Sequence, residues 1–474
     1  MTKKLYLFNN GGIIGAMTKK RKAVIIAIVL ISIILTFSVI ISEFDFKSPG
    51  VPTEPFSGAL WQRPLKNFAT SLTVDDRKVF TTDDPGNVYC FDSQNGESLW
   101  NTSGRGTTRN PRPVISDGLF YFGYEERQVG CLDENTGNVL WTFQNTPAPE
   151  ESSKGVSPRI IIKDDRLFAV SGTVSAHNAT TGKLLWQAVP GRKNFDVSFS
   201  QGQMQAYPLH GDPFDGKYVY ATGGNYSNLY FFKINTENGH VIWRSDATWG
   251  GVVVPFFGSS IPYPDVLAIS QEKVIIRIFF KENSAANFFL CLHSTTGKEL
   301  WSIDVGATIY NPTVHNNLLL FGAADGYFYA LNLADGTIKW KTEVDTQNLF
   351  SSGVHSSSPI QIDSDNQRLF WSYAIEKNET SNYTGALISL DLNNGNVMWM
   401  TQTNSSCGGL AFNNGTNWLF LTTYRFAADI GLWIFNASTG DLIHNQQFDH
   451  YILSPIVIGK ETFVAADLWL SAYS

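Results

Sequence analysis

Residues 327–333, YFYALNL, crowd aromatic and aliphatic side chains into a short run that alternates in polarity, as a half-buried strand does. Asp335 and Gly336 follow. Glycine accepts positive φ without steric cost, so this pair predicts a tight hairpin turn. Residues 337–340 begin the returning strand and end on Trp340. Upstream, 311–314 and 318–321 are two more strand-like runs, joined by a short turn at 315–317. One unit therefore reads as four antiparallel strands.

The turn is one copy of a phrase that recurs eight times: an Asn or Asp, Gly four residues later, and Trp four residues after that. The copies are Asp92, Gly96, Trp100; Asp133, Gly137, Trp141; Asn178, Gly182, Trp186; Asn235, Gly239, Trp243; His293, Gly297, Trp301; Asn332, Gly336, Trp340; Asp391, Gly395, Trp399; and Asn436, Gly440, His444. The Asx oxygen can bond back to the turn amides, and the Trp is large enough to wedge between neighbouring sheets. His293 and His444 break the pattern and read as tolerated substitutions.

Counting from Trp61, successive Trp or His444 positions are 39 to 59 residues apart, the size of a propeller blade. A lone four-stranded sheet leaves both faces wet; a ring of such sheets hides them and leaves only short edges. The ends of the chain are complementary. Residues 451–457, 462–465 and 468–472 read as three strands with no fourth, and 58–65 as a lone strand carrying Trp61. The first strand would complete the last blade. The expectation is an all-β, eight-bladed propeller of four-stranded antiparallel blades, eight being nearer the usual upper range. Literal counting gives eight complete units plus the shared closing one, hence nine.

The phrases YALNLADGTIKW at 329–340, CLDENTGNVLW at 131–141 and ISLDLNNGNVMW at 388–399 resemble the PQQ-type, quinoprotein-like propeller repeat. That repeat occurs in quinoprotein alcohol dehydrogenases and in BamB-type assembly factors, and the resemblance spans about residues 57–474. It implies a fold more than a chemistry. For a dehydrogenase it implies PQQ beside a vicinal Cys-Cys pair, a calcium held by carboxylate and amide oxygens, an Asp base and a stacking Trp. The chain has no Cys-Cys pair, and no residue can be matched to the other roles.

Residues 23–41 hold nineteen residues without a charge, behind Lys19, Lys20, Arg21 and Lys22. That length crosses a bilayer as a helix, and the basic flank keeps the N-terminus cytoplasmic. The expected organisation is a basic segment 1–22, a transmembrane helix 23–41, a linker 42–56 and a propeller 57–474 outside the cytoplasm. A cleaved signal peptide is the alternative, although residues 42–44 make a poor cleavage site. Met17 opens a close copy of the first residues and is a second candidate start. Sequons stand at Asn101, Asn178, Asn225, Asn378, Asn382, Asn404, Asn414 and Asn436. Asn178 and Asn436 occupy the turn position of the repeat, so Asn378 and Asn382, in an insertion, are the better glycosylation candidates.

Composition agrees with an all-β repeat protein: 14% aromatic residues and 40 Gly. The net charge of −7 includes the basic N-terminus, so the remainder is more acidic still, which argues against a nucleic-acid partner. Cys90, Cys131 and Cys291 share one repeat position, filled by Ala330 elsewhere, and read as small packing residues. Cys407 lies apart, and no C-x-x-C, G-x-S-x-G or H-E-x-x-H motif is present. The long units carry extra material at 192–216, 247–265 and 377–383. The first two hold Arg192, Asp196, His210, Asp212, Trp249, Phe256, Phe257 and Tyr263, which suit a peptide, glycan or protein partner or simply cover sheet edges. The function expected is a non-catalytic binding or scaffolding module for a protein or glycan, with no cofactor. The alternative is a dehydrogenase dependent on PQQ and calcium.

Overall fold

The computed structural model describes residues 59–473 apart from connecting segments, the longest being 104–112, 145–158, 189–213, 247–261, 345–353 and 449–455. The chain divides into two units, Met1–Glu54 and Pro55–Ser474, and every described residue lies in the second. The apolar segment 23–41 and the sequons Asn378 and Asn382 lie outside the described residues. No helix among the described residues is long and apolar enough to cross a membrane.

The described residues form nine antiparallel sheets. Blades I to VIII span 69–102, 114–144, 159–188, 214–246, 262–304, 309–343, 354–403 and 407–448. Blade IX takes three strands from the C-terminal part, Ile456–Ile458, Glu461–Ala466 and Trp469–Tyr473, and its outer strand, Trp61–Pro64, from the other end of the chain. Trp61 pairs with Ala472 and Pro64 with Trp469. The leftover strands at the two ends therefore complete one sheet. The eightfold expectation gives way to the literal count: it rested on the usual range of blade numbers, whereas each of the eight copies of the repeat builds its own sheet and the closing strands build a ninth. Blade VII departs from four strands, because Val354–His355 and Gln361–Asp363 both pair with Arg368–Glu376.

The core is divided among the seams between blades. Nine hydrophobic clusters each join two neighbouring sheets, and together they cover every seam of the ring. At the VI–VII seam, Leu320, Phe328 and Ala330 meet Trp371, Tyr373 and Ile388. Trp61, Leu65, Phe463 and Leu470 meet Leu72, Val79 and Phe91 where blade IX adjoins blade I. Second and third strands are buried on both faces, which is why their runs are almost continuously apolar, as in Leu318–Ala323.

The outer strands carry a feature the sequence pattern did not announce. In blade I, Cys90 pairs with Trp100 but Phe91 with Ser98, so Leu99 is an extra, unpaired residue. The same bulge falls on Leu140, Leu185, Ile242, Leu300, Lys339, Met398 and Ile443, always one residue before the Trp position. The seven apolar residues at these bulges are 44–51% exposed. The bulge turns the Trp inward and kinks an edge strand that would otherwise invite pairing with another chain.

Candidate functional site

The repeat residues converge on the seams. In all eight turns the Gly amide donates to the carbonyl of the Asx position, or of His293, at 2.8–2.9 Å, with Gly φ between 68° and 77°. Side-chain oxygens cap the turn: Asp92 Oδ1 accepts from Gln94 N at 2.9 Å, Asp133 Oδ1 from Thr136 N at 2.8 Å, and Asp391 Oδ1 from Asn393 N at 2.8 Å. Asn178 and Asn436 do the same toward Thr181 N and Ser438 N, both at 2.8 Å. His293 substitutes through its ring, Nδ1 accepting from Thr295 N at 3.1 Å.

Each Trp docks on the turn of the next blade. Trp61 lies over Gly96, Trp100 over Gly137, Trp141 over Gly182, Trp186 over Gly239, Trp243 over Gly297, Trp301 over Gly336, Trp340 over Gly395 and Trp399 over Gly440. Every one of these indoles also donates its N–H to a turn carbonyl: Trp61 to Ser93 O at 2.7 Å, Trp100 to Glu134 O at 2.8 Å, and Trp301 to Leu333 O at 3.1 Å are examples. The phrase that looks most like chemistry in the sequence is thus a hydrogen-bonded dock between sheets.

The residue paired with each Trp lies in the same seam. Cys90, Cys131 and Cys291 are fully buried, unpaired thiols in the I–II, II–III and V–VI seams respectively. Burial pushes each thiol up to about 12. All three should resist iodoacetamide at pH 8 in the folded protein and react fully in guanidinium, read by peptide mass spectrometry. Alkylation of any of them at the rate of a free thiol would contradict this packing role. The side chain of Cys407 lies outside the described residues.

Blade IV places Lys233 where these cysteines stand. Its ammonium reaches Ser294 O across the seam at 3.1 Å and sits 4.1 Å from the Tyr218 ring and 5.4 Å from that of Tyr220. Burial lowers its pKa, and Asp215, 3.9 Å away, works in the opposite sense. Ser294 O also accepts from Trp243 Nε1 at 2.9 Å. Lys233 therefore acts as a second hydrogen-bonded staple. Arg368 does likewise at the VII–VIII seam, holding Asp363 at 2.8 Å and Ala437 O at 2.8 Å. Lys78 bridges blades I and II through Glu134 Oε1 at 2.7 Å.

Asp83 is the most enclosed carboxylate of blade I. It accepts from Asn87 N and Nδ2 at 2.8 and 2.7 Å, from Asn67 Nδ2 at 3.0 Å and from the Tyr89 hydroxyl at 2.9 Å. Burial, then the bond to Asp83, pushes Tyr89 up to about 12. This carboxylate, buried from solvent, draws Asn67, Asn87 and Tyr89 together at the end of the blade. Among the described residues no three His, Cys, Asp or Glu side chains gather to ligate a metal.

The insertions at 192–216, 247–265 and 377–383 lie largely outside the described residues, with Arg192, Asp196, His210, Asp212, Trp249, Phe256 and Phe257. Topology still relates them. Two link successive blades and the third links second and third strands, Arg368–Glu376 and Tyr383–Asp391. In an antiparallel blade those connections leave from the same end of the strands, opposite the Asx–Gly turns. All three insertions therefore branch from one face of the ring.

Nine sheets in a ring, eight of their nine seams built on one docking motif, define a PQQ-like β-propeller. The family described as outer membrane protein assembly factor BamB matches residues 55–255 and 233–466, and the chain belongs to it. BamB of Yersinia pestis is 24% identical over 323 residues, covering 64% of this chain and 74% of that protein. The quinohemoprotein alcohol dehydrogenase ADH IIB of Pseudomonas putida is 24% identical over 308 residues, 59% of this chain but 42% of that protein. Among solved structures, the quinohemoprotein alcohol dehydrogenase ADHIIG of Pseudomonas putida shares the fold, with a TM-score of 0.51 at 14% identity over 88% of this chain and 75% of that one.

Proposed function

We propose that this chain is a membrane-tethered propeller standing outside the cytoplasm that binds a protein partner as a non-catalytic scaffold. The observation that carries the reading is the fate of the repeat: its indoles, Asx oxygens and glycines all serve the seams. A ring with three insertions on one face suits presentation of a binding surface. Membership of a family whose Yersinia pestis member is named an assembly factor supports a protein as partner. The tether rests on the apolar residues 23–41 behind their basic flank, with the N-terminus cytoplasmic and the cell membrane as location. In that setting Asn378 and Asn382 are the positions to carry glycan.

The test uses the full chain in detergent, with PQQ and Ca²⁺ as probes. Calorimetry should show no stoichiometric binding, and a dye-linked assay with primary alcohols no turnover. Tight binding with turnover would replace the scaffold by the quinoprotein dehydrogenase reading. Separately, alkaline carbonate should leave the chain in the membrane pellet; release to the supernatant would remove the tether.

A further inference from the structure

The nine seams are not equal. Eight carry an indole docked on a glycine turn, and the seam between blades VIII and IX does not. Its reason lies in the closure: the outer strand of blade IX comes from residues 61–64, so no hairpin turn joins it to Trp469–Tyr473 and no glycine awaits a Trp. His444 occupies the Trp position there. Its Nε2, and Oε1 of Gln446 two residues on, are shielded from solvent without a hydrogen-bond partner among the described residues. The seam is spanned by Phe420, Leu432, Ile434 and Phe448 packing on Val464 and Tyr473, and by Asn413 Nδ2 donating to Thr462 Oγ1 at 3.3 Å.

The seam on the other side of blade IX is reinforced. Trp61 covers Gly96 and donates to Ser93 O, and Arg63 adds bonds to Gly96 O at 2.5 Å and Asn95 O at 2.8 Å. The N-terminal strand thus ties blade IX to blade I by an indole dock and by Arg63, while among the described residues no such dock joins blade IX to blade VIII. Unsatisfied polar atoms inside a seam add a desolvation cost that opening relieves.

We infer that the ring has a built-in gate at the VIII–IX seam: blade IX parts from blade VIII while the N-terminal strand stays paired with Trp469–Tyr473 and docked on blade I. The fold thereby gains one preferred line of opening.

A thiol reporter tests this. Val464→Cys places a thiol in the VIII–IX seam, and Cys90, Cys131 and Cys291 are internal references in three docked seams. Peptide-resolved iodoacetamide labelling of the full chain under native conditions should modify position 464 roughly tenfold or more faster than the references, the factor expected for one lost hydrogen-bonded dock. Equal rates would overturn the gate. Unzipping of the terminal strand is the competing motion. The pair Gln62→Cys and Ser471→Cys, at facing positions, locks that strand by a disulfide. It should leave labelling at 464 unchanged; a tenfold slowing would overturn the gate in favour of unzipping. Should Val464→Cys fail to fold, hydrogen exchange of the natural chain decides the same question: amides of 461–466 and 442–448 should be roughly tenfold less protected than those of 318–323 and 327–332, and equal protection would overturn the gate.

Discussion

Alanine at Gly137 should cost about 3 kcal/mol of stability, whereas alanine at Gly118 should cost about 1 kcal/mol. The two glycines share a backbone conformation, with φ of 70° and 76°, so both substitutions bear the same left-handed penalty. They differ in what lies above them. A Cβ at Gly118 meets nothing within 4 Å; at Gly137 it falls 2.5 Å from Cε3 and 2.8 Å from Cδ2 of Trp100. The indole has little room to yield, because Nε1 is bonded to Glu134 O at 2.8 Å and Phe80 packs at 5.8 Å centroid to centroid. Overpacking then adds about 1–3 kcal/mol. A double-mutant cycle makes the argument specific. In a Trp100→Ala background the Gly137 substitution should fall back to about 1 kcal/mol, giving a coupling of about 2 kcal/mol. Denaturation midpoints measure all four proteins. Equal costs at the two glycines would show that the dock contributes nothing beyond the turn.

Arg368→Leu should cost about 3–5 kcal/mol, the usual penalty for stranding one half of a buried ion pair. The side chains of Arg368 and Asp363 are 6% and 1% exposed. The guanidinium also donates to Ala437 O, to Ser438 Oγ at 3.3 Å and to Asn417 Oδ1 at 2.9 Å, and it lies 5.2 Å from the Phe370 ring. Burial alone would raise the Asp363 pKa. Hydrogen bonds from Asn366 and Arg368, with the Arg368 charge, outweigh it and hold the carboxyl below its ordinary value. A depressed folded pKa means a contribution present above the unfolded value of about 3.9 and lost as pH falls through the folded one. The deficit of Arg368→Leu relative to the natural chain should therefore narrow in thermal melts taken from pH 5 down to pH 3. A deficit that stays constant over that range would place the effect of Arg368 in its packing alone.

The repeat was legible because its demands are local. A turn with φ near 70° calls for Gly, its neighbour calls for an Asx oxygen, and these recur at fixed spacing beside a Trp. Closure was legible from the unmatched strands at the two ends. The number of blades was misjudged only where a habit of the fold class displaced the count of eight repeats plus the closing blade. The bulges were not legible: nothing distinguishes Leu99 from a paired strand residue, since the extra residue shows only in the register with Cys90 and Phe91. Lys233 and Arg368 were missed for a different reason. Their partners Ser294 and Ala437 lie 61 and 69 residues away, and only the ring brings them together. Of the candidate binding loops, sequence located the insertions, and topology added that they share a face.

The pairing of Trp61 with Ala472 also sets a timetable. A ribosome makes the outer strand of blade IX first and the three strands it must join last. At about 5–20 residues per second the wait is on the order of 20–80 s. Trp61 can settle on Gly96 soon after blade I emerges, which shelters the indole early. The backbone edge of residues 61–64 has no mate until residues 469–472 have been made. Every earlier blade can fold as it appears and stack on its predecessor, so the nascent protein grows as an open arc. The whole molecule becomes a ring in a single late event, and a chain cut short anywhere before residue 469 would never close.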